Sequence, residues 1–154
     1  VLDTGIRTSH QDFGGRAVPT LEVSHYGVVP CTNGYPSCAQ DKNGHGTKKA
    51  GIIGGHIFGV AKNATLHSVK IFRDDGTGFV WWFVAAVDWV MAHGKTPAVI
   101  ASSGEAHANL FVVKQTIDAA VHAGITVVVS SGMHHSGHGH EDCAYFPANV
   151  NLAL

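Results

Sequence analysis

The sequence is poor in charge, in long apolar runs and in cysteine. Charged residues make up 14% of its 154 residues, and 10 Lys and Arg against 11 Asp and Glu leave a net charge of -1. This balance provides no basic field that would attract nucleic acid or an anionic membrane, so we expect neither partner. The longest apolar stretch, 79–90, contains Asp88 and falls short of the roughly 18 residues that a membrane span needs.

Three cysteines are too few for a disulfide-rich scaffold, but two of them lie close together. Cys31 and Cys38 flank a short segment rich in Pro, Gly, Asn and Ser. This spacing favours a disulfide-closed loop, and with it secretion or another oxidising compartment. Two unpaired thiols are the alternative. Cys143 is then either free or paired with a cysteine outside this chain.

Apolar residues are plentiful, at 45% of the chain, and their spacing alternates between two patterns. Short β-branched runs predict strands, and apolar positions at helical spacing predict helices. Strand, helix, strand, helix, strand is typical of an α/β fold with a parallel sheet and helices on both faces. The predicted strands are 65–72, 97–101 and 125–130, and the predicted helices are 79–92 and 110–123, the second capped by Asn109.

Polar groups lie where such a sheet forms its sites, at the carboxyl ends of its strands. Asp3 follows an apolar pair, and His45 lies between two glycines that let the backbone approach closely. An Asp paired with a His is the orienting half of a catalytic triad, in which the His moves the proton of a nucleophile. Each signal by itself is weak.

Five segments follow one another along the chain in a recognisable order. They are 1–6 with Ser9 and His10, 41–47 with Ala50 and Gly51, 58–70 with 75–78, 126–132, and 145–148. In this order they resemble the subtilisin-like serine proteases (peptidase S8), most closely the proteinase K-like branch. The first two segments resemble the Asp block and the His block of that family, the third the segment after the His block, and the fourth the strand that leads to the oxyanion-hole position. The fifth is a further short match, and the resemblance covers nearly the whole chain.

The resemblance implies a truncated subtilisin-like fold, with residues 1–154 as a single partial catalytic domain. It implies a serine endopeptidase acting on peptides or proteins, with Asp3 as the orienting acid and His45 as the general base. An extended substrate would pair with a strand by β-addition. The implied substrate-binding residues are Ser102, Ser103 and Gly104 on that strand and Ser130, Ser131 and Gly132 at the specificity pocket.

The chain departs from the family pattern at several positions. None of its nine serines has the Gly-Thr-Ser context of the family nucleophile, and Met133 occupies the position of the oxyanion Asn. A thioether donates no hydrogen bond, so we expect this chain alone to be inactive. Either it is a piece of a longer protease, or it is a pseudo-protease that serves as a binding or assembly subunit. Lys48 and Lys49 in the His block favour the second alternative. A protein partner would then cover the truncated sheet.

A His-rich tract offers a further alternative, a metal-binding module. Imidazoles suit Zn²⁺ or Cu²⁺, but a Gly-rich loop does not preorganise them, and a solvated loop is the favoured interpretation. The expected function requires no cofactor, although the resemblance allows Ca²⁺. Asp74 and Asp75 form either a turn or a cation site. The weak metal candidates in the tract are His134, His135, His138 and His140.

Overall fold

The structure is a computed structural model that describes residues 1–32, 35–104, 111–130, 150 and 153–154. These residues divide into two compact units, Val1–Ala86 and Val87–Leu154. The point of division in the sequence lies within helix α2, Val80–His93. Within the described ranges, every helix is too short or too polar to cross a membrane.

The first unit contains four strands and helix α1. The order of the strands is β3-β2-β4-β1. Strands β1 and β2 each run parallel to β4, whereas β2 and β3 form an antiparallel hairpin, so the sheet is mostly parallel. The elements are β1 Leu2–Asp3, β2 Ala17–Ser24, β3 Gly27–Pro30, α1 His45–Gly54 and β4 Leu66–Lys70, with a 3-10 turn at Gln11–Phe13.

Strands β2 and β3 are absent from the sequence-based prediction, and the reason is visible in β2. Pro19 lies inside the strand, and the pairing with β4 shifts between Pro19 and Leu21. Proline usually argues against a strand interior, and the irregularity breaks the period-2 alternation that identifies strands in sequence.

A hydrophobic cluster holds α1 in place. Ile6, Phe13, Ala17, Ala50 and Leu66 are all buried and pack together. Because Ala50 belongs to α1 while the other four come from the strands and turns around it, the cluster fixes the helix against the rest of its unit. The first residue of α1 is thereby held close to the end of β1.

The second unit is a strand–helix–strand motif. Strand β5, Ala98–Ser102, pairs in parallel with β6, Ile125–Val129. Helix α3, Phe111–His122, connects them and packs against β6, because parallel neighbours need a crossover connection. The predicted alternation of strand and helix is confirmed here with boundaries within two residues. The predicted cap, Asn109, lies outside the described residues.

Candidate active site

Asp3 and His45 meet at the carboxyl end of β1. Asp3 is the last residue of that strand and is 1% exposed, and its Oδ1 lies 2.7 Å from Nδ1 of His45. The same oxygen accepts a hydrogen bond from the backbone N–H of Thr4 at 2.7 Å. A carboxylate only accepts hydrogen bonds, so Nδ1 carries the imidazole proton and Nε2 of the neutral ring keeps its lone pair.

His45 is the first residue of α1, and its side chain is 44% exposed. The N–H groups of a first helical turn have no partner within the helix, and here neighbouring groups satisfy them. The N–H of His45 donates to Asn43 Oδ1 at 3.2 Å, and that of Gly46 donates to Thr4 Oγ1 at 3.0 Å. The N–H of Thr47 donates to Asp41 Oδ2 at 2.8 Å. Residues outside the helix therefore fix the position of its first turn, and with it the backbone from which the His45 side chain extends.

Gly46 allows α1 to approach β1 this closely. A Cβ at this position would lie 2.1 Å from the carbonyl oxygen of Gly5 and 3.0 Å from Oδ1 of Asp3. No side chain fits in that space. Glycine next to the histidine is therefore a condition for the short distance between Asp3 and His45.

Lys70 connects the site to the turn that follows β4. Its side chain is 10% exposed, and its Nζ donates to the carbonyl oxygen of Thr4 and to Oδ1 of Asp74 at 2.9 Å. The hydrogen bond from Lys70 lowers the pKa of Asp74, and the charges of Lys70 and Lys42 add to this effect. The carbonyl oxygen of Asp74 also accepts from Asn43 Nδ2 at 2.9 Å. The turn after β4 is thus tied both to the Asp3 segment and to the turn that carries His45.

Among the predicted substrate-binding residues, the structure brings Ser102 and Ser130 together in the second unit. Ser102 ends β5 and is buried, and Ser130 follows β6 directly. The backbone N–H of Ser130 donates to the carbonyl oxygen of Ser102 at 3.2 Å. Ser103 and Gly104 follow β5 and are half-buried.

Several predicted residues lie outside the described part of the chain. They include the oxyanion position, the rest of the specificity pocket, the third cysteine and the whole His tract. These residues are Ser131, Gly132, Met133, His134, His135, His138, His140 and Cys143.

No group of three or more His, Cys, Asp or Glu side chains suited to a metal ion occurs within the described ranges. Asp74 does not fit a Ca²⁺ site, because Lys70 and Lys42 occupy its carboxylate at 2.9 and 3.6 Å. Asp75 Oδ1 accepts from both the N–H and the hydroxyl of Thr77. Of the two alternatives for Asp74 and Asp75, a turn or a cation site, these contacts therefore favour the turn.

Cys31 and Cys38 form a disulfide with a Cα–Cα distance of 5.5 Å. Ala39 follows it directly with a φ of +53°. The carbonyl oxygen of Ala39 accepts from the N–H of Ile6 at 3.2 Å and from the hydroxyl of Ser68 at 2.8 Å. The disulfide thus anchors the segment that leads into the turn before α1.

Sequence reasoning missed two residues that organise this region, Asp41 and Lys70. In the sequence, Asp41 belongs to the His block but has no assigned role of its own, and Lys70 is an ordinary residue of a predicted strand. A weak signal existed for Asp41, because a carboxylate shortly before a helix often accepts from its first N–H groups. No sequence signal places the ammonium of Lys70 against Thr4, because that contact joins residues 66 positions apart.

A mostly parallel α/β sheet that brings a buried carboxylate to a half-exposed imidazole has the arrangement by which serine proteases orient their general base. Comparison with known proteins identifies the family. The family model of the subtilases, peptidase S8, matches residues 1–154. The chain belongs to this family, as the resemblance predicted.

Individual relatives agree with this assignment. An extracellular serine proteinase of Thermus sp. (strain Rt41A) is 38% identical over 154 residues, which are 100% of this chain and 34% of that protein. Alkaline serine exoprotease A of Vibrio alginolyticus is 35% identical over 150 residues, 97% of this chain and 26% of that protein. The chain thus spans about a third or less of these relatives.

Solved structures establish the fold as subtilisin-like. A cold-adapted subtilisin-like serine proteinase superposes with a TM-score of 0.79 and 28% identity, over 97% of this chain and 50% of that one. Sphericase superposes with a TM-score of 0.73 and 29% identity, over 90% of this chain and 46% of that one. The predicted fold class is confirmed.

Proposed function

We propose that Asp3 and His45 are the acid and the general base of a subtilase serine endopeptidase. The observation that carries this proposal is the 2.7 Å contact between Asp3 Oδ1 and His45 Nδ1, with Asp3 buried and His45 half-exposed. Asp3 holds the imidazole in one tautomer and stabilises its protonated form. Nε2 of His45 then accepts the proton of a serine nucleophile and returns it to the leaving amine.

The 154 residues alone do not perform this reaction. None of their nine serines has the sequence context of the family nucleophile, and without an alkoxide no acyl-enzyme forms. The chain also lacks the oxyanion-hole donor, because Met133 occupies the position of the Asn that supplies it in the family. In subtilisin, a member of this family, loss of one such donor costs about 2.7–4 kcal/mol of transition-state stabilisation.

The substrate of this site is an extended peptide. We place its backbone along the segment Ser102–Gly104 and its side chain at a pocket that includes Ser130, Ser131 and Gly132. The hydrogen bond between Ser130 and Ser102 supports one common surface for both segments. Backbone hydrogen bonds then hold the peptide, and the pocket selects its side chain.

Residues 1–154 belong to one subtilisin-like catalytic domain that operates outside the cell or in another oxidising compartment. The disulfide between Cys31 and Cys38 supports this location, because such bonds persist where thiols are not kept reduced. The extracellular relative from Thermus supports it as well.

A pseudo-protease is the second candidate function. Met133 at the oxyanion position favours it, together with Lys48, which is exposed, and Lys49, which is half-buried, in the His block. In this case the fold serves as a binding or assembly subunit, and a protein partner covers the sheet.

A serine-reactive phosphonate probe followed by mass spectrometry tests these proposals. The 154-residue chain is expected to give no adduct, while subtilisin treated in parallel gives one. A labelled serine within residues 1–154 would overturn the proposed inactivity. The same probe applied to the protein isolated from its organism separates the two functions. A serine adduct anywhere supports proteolysis, and a correctly folded protein without one supports the pseudo-protease.

A further inference from the structure

Asp41 is a buried carboxylate in the turn before α1, and the proposed reaction gives it no role. It is 2% exposed. Its Oδ1 accepts hydrogen bonds from the hydroxyl of Thr4 at 2.9 Å and from the N–H groups of Asn43 and Gly44 at 3.0 and 2.8 Å. Its Oδ2 accepts from both the N–H and the hydroxyl of Thr47. Both oxygens therefore have several donors.

The donors come from both sides of the catalytic pair. Thr4 directly follows Asp3 at the end of β1, whereas Thr47 lies two residues after His45 in α1. One side chain thus joins the strand that carries the acid to the helix that carries the base. The two elements are distant in sequence, because Asp3 and His45 are 42 positions apart.

We infer that Asp41 is a positioning residue that holds the Asp3–His45 pair in register through Thr4 and Thr47. This inference rests on the proposed function of that pair. Asp41 contacts no reacting atom, so its effect passes through the two threonines.

The chemistry of the contacts requires a carboxylate. All five hydrogen bonds described above bring a donor to Asp41, and an ionised carboxylate accepts at both oxygens. An amide of the same shape accepts at one atom only and turns its NH₂ toward donors on the other side. The donors on that side lose their partner in a buried place, and one of the two elements has to move.

Nitrogen-15 NMR of the His45 imidazole in the full chain tests this inference, because the two ring nitrogens report which one carries the proton. In the wild type we expect the Nδ1–H tautomer. Asp41→Asn should lower the ratio of this tautomer to the other by roughly tenfold or more, since loss of one hydrogen bond to a charged group is worth about that factor. Asp12→Asn is the matched control. It also alters a carboxylate that accepts a backbone N–H, from Ile57 at 3.0 Å, and should leave the His45 signals unchanged.

Three outcomes separate the possibilities. If Asp3→Asn leaves the tautomer of His45 unchanged, the proposed pair itself is wrong. If Asp3→Asn shifts it while Asp41→Asn only lowers the unfolding temperature, Asp41 is merely structural and the inference fails. If Asp41→Asn does not fold, Thr4→Val and Thr47→Val replace it, because each removes one hydroxyl and retains the carboxylate. Unchanged His45 signals in both folded variants would also overturn the inference.

Discussion

Replacing Gly46 by alanine should separate Asp3 from His45, because the added methyl group has no space. Its Cβ would lie 2.1 Å from the carbonyl oxygen of Gly5, whereas real Cβ atoms essentially never come closer than 3.0 Å to another heavy atom. The obstacle is backbone, which cannot rotate away, so α1 and the end of β1 have to part by about 1 Å. A hydrogen bond of 2.7 Å stretched by that distance is no longer one.

Opposing terms determine the cost of Gly46→Ala. Alanine is a better helix former than glycine and favours the variant by about 1 kcal/mol. Overpacking disfavours it by about 1–3 kcal/mol, and loss of a charge-assisted hydrogen bond by a further 1.5–3 kcal/mol, roughly. We therefore expect the free energy of unfolding to fall by about 1.5–5 kcal/mol.

Gly51→Ala provides the matched control in the same helix, because a Cβ there meets no atom within 4 Å. This variant should gain about 0.5–1 kcal/mol from helix propensity alone. Urea denaturation of the wild type and both variants measures the difference, and nitrogen-15 NMR of His45 reports the pair. Equal stabilisation by the two alanines would refute the close approach of α1 to β1.

Two further predictions concern the turn before α1. Replacing Cys31 and Cys38 together by alanine should lower the free energy of unfolding by about 2–3 kcal/mol, from the loop entropy of a bridge between residues 7 positions apart. A urea midpoint of the double variant equal to that of the wild type would contradict this prediction. Burial raises the pKa of Asp41, but hydrogen bonds from Thr47, Gly44 and Thr4 outweigh this and lower the pKa below its ordinary value. Asp41 therefore stabilises the fold above the unfolded pKa of about 3.9 and loses this contribution as the pH falls through its folded pKa. Wild-type stability below about pH 4 should thus decline more steeply than that of Asp41→Asn, and equal slopes would contradict this account.

Local patterns in the sequence predicted much of the fold. Strand β6 and helix α3 have apolar spacing that a sequence displays directly, and a glycine, Gly124, separates them. Sheet position made Asp3 and His45 candidates, but only the resemblance to the subtilisin-like proteases predicted them as a pair. Strand β2 was not predicted, because Pro19 and its shifted register conceal the alternation.

The parts of the site that escaped prediction depend on contacts between distant segments. Asp41 matters because Thr4, 37 positions earlier in the chain, donates to it, and Lys70 matters because its ammonium donates to the carbonyl oxygen of Thr4. Neither contact has a sequence period, and each is set only when the sheet has assembled. A sequence therefore identifies which groups have the right chemistry but not which groups hold them in place.

The arrangement of holding groups explains how two residues 42 positions apart keep hydrogen-bond distance without a covalent link. The Asp3 segment contributes the hydroxyl of Thr4, which accepts from the N–H of Gly46 in the helix and donates to Asp41. The end of β1 and the start of α1 are thus joined directly through Thr4 and Gly46, and indirectly through Asp41. Movement of either element would break hydrogen bonds to the other. In the proposed reaction, this mutual support orients the base in advance, so little entropy is lost when the reaction begins. The proposed acid–base pair thus lies within the first unit, and the hydrogen bonds described above that hold its two elements come from that unit.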